Sequence, residues 1–124
     1  MSPALAFGVS VAGGAGAVLR FVLDGVLSTR WRTPFPYATL LINVSGSLLL
    51  GVLTGLVLAE ATSPSGATVL GAGFCGGFTT FSTVSYASVR LAREGRPGLS
   101  ALNAMGTLVL CVAAAAAGLA LARG

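Results

Sequence analysis

Gly73-Phe74-Cys75-Gly76-Gly77-Phe78-Thr79-Thr80-Phe81-Ser82-Thr83 lies inside an apolar segment long enough to cross a membrane. The run places three glycines and four hydroxyls where a lipid-facing helix would carry Leu and Val, and Gly66 and Gly71 precede it. Glycine costs a helix about 1 kcal/mol relative to alanine, so Gly76-Gly77 continues a helix poorly. Thr79, Thr80, Ser82 and Thr83 each carry a hydroxyl able to bond back to helix carbonyls. Irregular backbone at membrane depth is tolerated only against other protein or a polar cavity. The run therefore predicts a discontinuous helix at an ion site. Freed carbonyls there would suit a cation and freed N–H groups an anion. The competing reading is a tightly packed Gly/Thr interface.

The surrounding composition agrees with a membrane setting. The 124 residues are 55% hydrophobic and only 8% charged, against about 25% charged in a soluble domain. Histidine and lysine are absent, all seven basic residues are arginine, and the acids are Asp24, Glu60 and Glu94. The net charge of +4 does not point to nucleic acid, because no basic stripe interleaves with aromatics. Cys75 and Cys111 lie in apolar segments without a ligand-type neighbour, and read as small, reduced, buried hydrophobes. The first residues lack the positive stretch of a secretory leader, so the apolar N-terminal segment is expected to be the first span.

A bilayer core of about 30 Å needs roughly 20 apolar helical residues. Four windows qualify, at about 3–27, 37–59, 67–91 and 99–122, separated by short polar or Pro/Gly-rich breaks. The expected fold is an all-α membrane protein, one four-span domain over 1–124 with a broken third helix. Trp31 and Tyr37 sit where aromatic belts form. The first and third breaks hold Arg30, Arg32, Arg90, Arg93 and Arg96, while the opposite side holds only Arg123. The positive-inside rule then places both termini outside the cytoplasm of an inner (plasma) membrane.

Polar residues inside the other spans mark further candidates. Ala12, Gly16 and Arg20 share one face of the first span at i, i+4 spacing. Arg20 is costly at that depth; it either anchors, by reaching the interface or pairing with Asp24, or faces an anion. In the second span Asn43, Ser47, Gly51 and Gly55 share a face. The glycines read as a packing stripe, and the Asn43 amide, which must find partners when buried, as a pore or near-pore donor. Asn103 and Thr107 in the fourth span either bond between helices or line a polar path. General acid–base catalysis lacks its usual players, no transition-metal ligand set exists, and no carboxylate lies deep in a span for proton coupling. An enzyme is excluded, and the residues suit a passive path for a small ion.

With these residues in hand, the sequence resembles the CrcB/Fluc fluoride channel family. The resemblance rests on Gly13-Gly14-x-Gly16-Ala17-x-x-Arg20-Phe21, on Asn43-Val44-x-Gly46, and above all on the 73–83 run. It implies an antiparallel dimer of four-helix subunits with two fluoride pores at the interface. It implies a structural sodium ion at the dimer centre, held by the backbone carbonyls of Gly76 and Thr79. It also implies that Asn43 helps line the pore and that Phe81 offers its positive ring edge to fluoride. Ser82, Thr83 and, less distinctly, Thr107 would supply hydroxyls.

One departure stands out. Homodimeric family members usually end the motif Thr-Thr-Phe-Ser-Thr-Phe, and here the last position is Val84. A homodimer of opposed subunits also needs a chain with little orientational preference, which the arginine bias denies. The expected partner is a homologous subunit in the opposite orientation, in lipid, forming a channel that lowers cytoplasmic fluoride. Two alternatives are a small multidrug-type exporter, which needs an acid deep in the first span, and a non-conducting membrane assembly subunit.

Overall fold

The computed structural model describes residues 2–124, and every regular element among them is helical. Ser2 caps α1 (Pro3–Arg30), its hydroxyl accepting from the Leu5 N–H at 3.1 Å, and Pro3 suits the first helical position. The Pro34 and Pro36 turn separates it from α2 (Tyr37–Leu58). The segment expected as the third span is in pieces. It comprises α3 (Pro64–Thr68), a π-helical stretch (Val69–Cys75), α4 (Gly76–Phe78) and α5 (Ser82–Arg93). Gly95, at φ 78°, then ends α5: the Arg96 N–H reaches the Leu91 carbonyl at 2.8 Å, the left-handed glycine stop. Last comes α6 (Pro97–Arg123).

Three of these helices, α1, α2 and α6, are long and apolar enough to cross a membrane. Their large side chains face outward, Phe7, Phe21, Met105 and Leu121 among them. That inverts the soluble pattern and matches burial in lipid.

Glycines set the helix approaches. Added Cβ atoms would strike the Ala115 carbonyl at Gly51, the Leu119 carbonyl at Gly55 and the Leu48 carbonyl at Gly118. The register 51–115 and 55–119 makes α2 and α6 parallel. Likewise Gly8 meets Val69, Gly16 meets Phe74 and Phe78, and Gly77 meets Gly13, so α1 runs parallel to the 69–78 segment. Asn103 ties α6 to α5 in the opposite sense, its amide donating to the Val84 carbonyl at 3.2 Å and the Ser88 hydroxyl at 2.9 Å. The first and third turns share an end, where Arg90 Nη2 donates to the Pro34 carbonyl at 3.4 Å.

Gly51→Ala is expected to lower thermal stability in detergent by about 1–3 kcal/mol through overpacking. Gly25→Ala, whose added Cβ meets nothing within 4 Å, should leave the melting transition in place. Equal melting of the two variants would refute the close α2–α6 contact.

Candidate functional site

The break falls two residues beyond the Gly76-Gly77 pair that the sequence marks as weakest. Both glycines remain helical, and the chain leaves the helix at Thr79, which is extended at φ −83°, ψ 161°. The π-helical stretch before it contains Gly71 and Gly73, both buried. A Cβ on Gly73 would sit 2.9 Å from both Ala12 Cβ and the Val9 carbonyl, so α1 lies against bare backbone. Such π-helical turns recur at functional sites.

Two side chains from elsewhere in the fold hold the break. Asn43, 5% exposed, takes both backbone groups of Thr80: the Thr80 N–H donates to Oδ1 at 2.8 Å, and Nδ2 donates to the Thr80 carbonyl at 2.9 Å. Arg20 Nε donates to the Gly77 carbonyl at 3.3 Å. The Arg20–Asp24 ion pair allowed by their spacing does not form; Asp24 instead accepts from the Ser28 hydroxyl at 3.3 Å. A freed helix carbonyl is the better partner for Arg20, since a buried acceptor left unpaired is costly.

The hydroxyls divide into groups. Thr79 Oγ1 bonds back to the Cys75 carbonyl at 2.8 Å. Thr80 Oγ1 accepts from the Thr83 N–H at 3.2 Å and donates to Thr83 Oγ1 at 3.1 Å, satisfying one donor of the first turn of α5. Among the described residues no hydrogen bond reaches the carbonyl oxygens of Gly76 or Thr79.

Beside the break lies an open cavity of about 660 Å³ between α2, the broken segment and α6. It brings together Asn43, Gly76, Thr79, Phe81 and Thr107; Ser82, Thr83 and Arg20 are not in its walls. Phe81 stands at the rim with 86% of its surface exposed, and Gly76 is exposed too. Asn103 and Thr107, one turn apart, separate in role. Asn103 is 1% exposed and consumed by α5. The Thr107 hydroxyl is buried without a partner in the cavity wall. No carboxylate, histidine or arginine lines the cavity. Val84 is buried there with its carbonyl taken by Asn103.

The family model described as CrcB-like protein, Camphor Resistance (CrcB), matches residues 7–119. The chain belongs to this family. Among curated relatives, Fluoride-specific ion channel FluC 1 of Leifsonia xyli subsp. xyli is 50% identical over 82 residues, which is 66% of this chain and 60% of the relative. FluC 2 of Cutibacterium acnes is 53% identical over 75 residues, covering 60% of this chain and 61% of that protein. FluC 2 of Mycolicibacterium paratuberculosis is 48% identical over 75 residues, covering 60% and 58%. The chain thus aligns with about 60% of the length of each of these relatives. Their names are those of ion channels, not of enzymes.

In this CrcB-like chain, sequence reasoning missed the backbone of Thr80 as the anchor of the break. Its signal was present but indirect: a buried amide in the second span requires partners, and the freed peptide groups of the third segment are the ones in need. Asn43→Ala should raise the exchange rate of the Thr80 amide proton at least tenfold. Asn43→Asp, which keeps the acceptor for that N–H, should lose less protection. Identical exchange in Asn43→Ala and the parent protein would remove the clamp from the account.

Proposed function

We propose that this chain is a subunit of a fluoride-selective passive channel that carries fluoride out of the cytoplasm and lowers its toxicity. The observation that carries the reading is the cavity at the break. It combines uncommitted hydrogen-bond donors with free carbonyls and holds no carboxylate for proton coupling. The ion's identity comes from the relatives' names. Four crossings follow if the broken 64–93 segment passes the bilayer beside α1, with which it runs parallel, its irregular backbone covered by α1 and α2.

The cavity is open on one side, with Phe81 and Gly76 exposed beside it, and an opposed second subunit would close it. Asn43 has one amide N–H beyond the one it gives to the Thr80 carbonyl, and Thr107 has an unpaired hydroxyl. These donors, with the positive edge of the Phe81 ring, would replace water around the anion. Ser82 and Thr83, at the positive N-terminal end of α5, would extend the hydroxyl track beyond the cavity. Arg20 acts as an anchor of the break rather than as an ion contact.

The Gly76 and Thr79 carbonyls fit a sodium ion at the dimer centre. They are hard oxygen donors without hydrogen bonds, and space is open beside Gly76, where an added Cβ meets nothing within 4 Å. Such an ion would supply fixed positive charge, offsetting the cost of an anion at low dielectric. An inside-negative potential then drives fluoride outward by about 2.3 kcal/mol per charge per 100 mV.

The preferred partner is a homologous subunit of opposite orientation in the plasma membrane. Arg30, Arg32, Arg90, Arg93 and Arg96 belong to turns sharing one end of the subunit, which would face the cytoplasm, with both termini outside. The numerals 1 and 2 in the relatives' names mark those proteins as members of numbered sets and support the same reading. The cavity's lack of a carboxylate disfavours a multidrug-type exporter.

Fluoride efflux from liposomes, with chloride as the control anion, tests this reading. Efflux is expected with an oppositely biased homologue and weaker or absent for this chain alone; silence in both would leave a non-conducting assembly subunit. Thr107→Val should reduce efflux several-fold at unchanged or raised stability, because it removes an unpaired buried hydroxyl. Replacing sodium by N-methylglucamine should lower the melting temperature by several degrees, since a bound ion stabilises only the folded state.

A further inference from the structure

A second cavity, of about 630 Å³, lies between the α1–α2 turn, α2 and α6, and the channel reading does not use it. Its floor is apolar, built from Leu40, Leu41, Val44 and Leu110. The Tyr37–Leu40–Val44 face of α2 is turned by about a quarter of a turn from the Asn43–Ser47–Leu50 face at the break. From Tyr37 to Val44 the trough runs about 10 Å at 1.5 Å per residue. At the turn end it meets Arg30, Trp31 and Arg32. There it continues into a smaller cavity of about 180 Å³, which shares Trp31, Arg32, Thr33 and Tyr37 and adds Arg90.

The charge of Arg30 and Arg32 at this end is uncompensated. Among the described residues the one ion pair is Arg90–Glu94 at 3.4 Å, so Arg30 and Arg32 have no carboxylate partner. No acid lines either cavity. Asp24 is engaged by Ser28 and lies six residues back along α1, about 9 Å.

We propose that the trough and its basic end form a binding site for an anionic phospholipid. One acyl chain lies along Leu40, Leu41, Val44 and Leu110, and the headgroup phosphate sits against Arg30 and Arg32 with Arg90 beside it. Guanidinium groups offer paired donors to phosphate oxygens. Basic pockets between membrane helices suit anionic headgroups, and Trp31 and Tyr37 flank the site where amphipathic rings settle at the interface. Charge complementarity selects the headgroup and the continuous apolar floor selects a lipid over a soluble anion.

Trp31 is the single tryptophan of the chain, so its fluorescence reports this site directly. The experiment reconstitutes the full chain in vesicles doped with acyl-brominated phosphatidylglycerol or, separately, acyl-brominated phosphatidylcholine. Quenching by the anionic lipid should show a preference of about fivefold or more over the zwitterionic one. In Arg30→Gln/Arg32→Gln that preference should collapse while quenching by phosphatidylcholine stays, which also confirms that the variant is folded and inserted. Inorganic phosphate in place of the lipid should leave Trp31 emission unchanged. Equal quenching by both lipids in the parent protein overturns the site as a specific one. Absence of quenching by either shows the trough covered by protein, such as a second copy, and overturns it as well. Fluoride conduction enters none of these readouts, so the site stands or falls apart from the channel reading.

Discussion

The structure depends on how a helix is broken in an apolar setting without leaving peptide groups stranded. A freed N–H or carbonyl in hydrocarbon costs several kcal/mol. One amide meets most of that demand: Asn43 accepts from and donates to the same peptide residue, Thr80, at 2.8 and 2.9 Å. Arg20 covers the Gly77 carbonyl on the other flank. With those groups satisfied, the carbonyls of Gly76 and Thr79 can remain unpaired beside the cavity. The same local disruption that would be a defect in an ordinary helix leaves oxygen atoms available to an ion.

Close packing makes the clamp reachable. Asn43 projects from α2, and Arg20 from α1, so both helices must lie near the broken segment. Glycines at the contacts permit it: Gly13 and Gly16 on α1, Gly73 and Gly77 opposite, and Gly46 against Thr79. The α2–α6 pair is fixed in the same way by Gly51, Gly55 and Gly118. Asn103 ties α6 to α5, and this places the Thr107 hydroxyl in the cavity wall one turn later. Two polar residues with the same spacing as Asn43 and Ser47 thus serve different ends, one bonding between helices and the other left without a partner.

Much of this was legible in the residues. Apolar runs bounded by Pro and Gly gave the helices nearly to their ends: 3–27 became Pro3–Arg30, and 37–59 became Tyr37–Leu58. Glycines and hydroxyls in the 73–83 run gave the discontinuity, though not its place. Helix propensity pointed to Gly76-Gly77, yet both stay helical: Gly13 of α1 packs on the bare backbone of Gly77, while Gly76 lies open to the cavity. For Arg20 the spacing offered only Asp24 at i+4 or an anion, and neither pointed to the Gly77 carbonyl that its Nε reaches.

Residue chemistry alone makes the chain helical, apolar on its outside, asymmetric in its arginines and interrupted in its third segment. Those properties follow from transfer free energy, charge and local backbone preference, which neighbouring residues settle. Helix packing instead sets the interruption at Thr79–Phe81 and selects which donors remain free beside it. The deciding contact, Asn43 to Thr80, joins residues 37 positions apart. Such a contact exists only once helix packing has brought the two segments together, so no local preference encodes it.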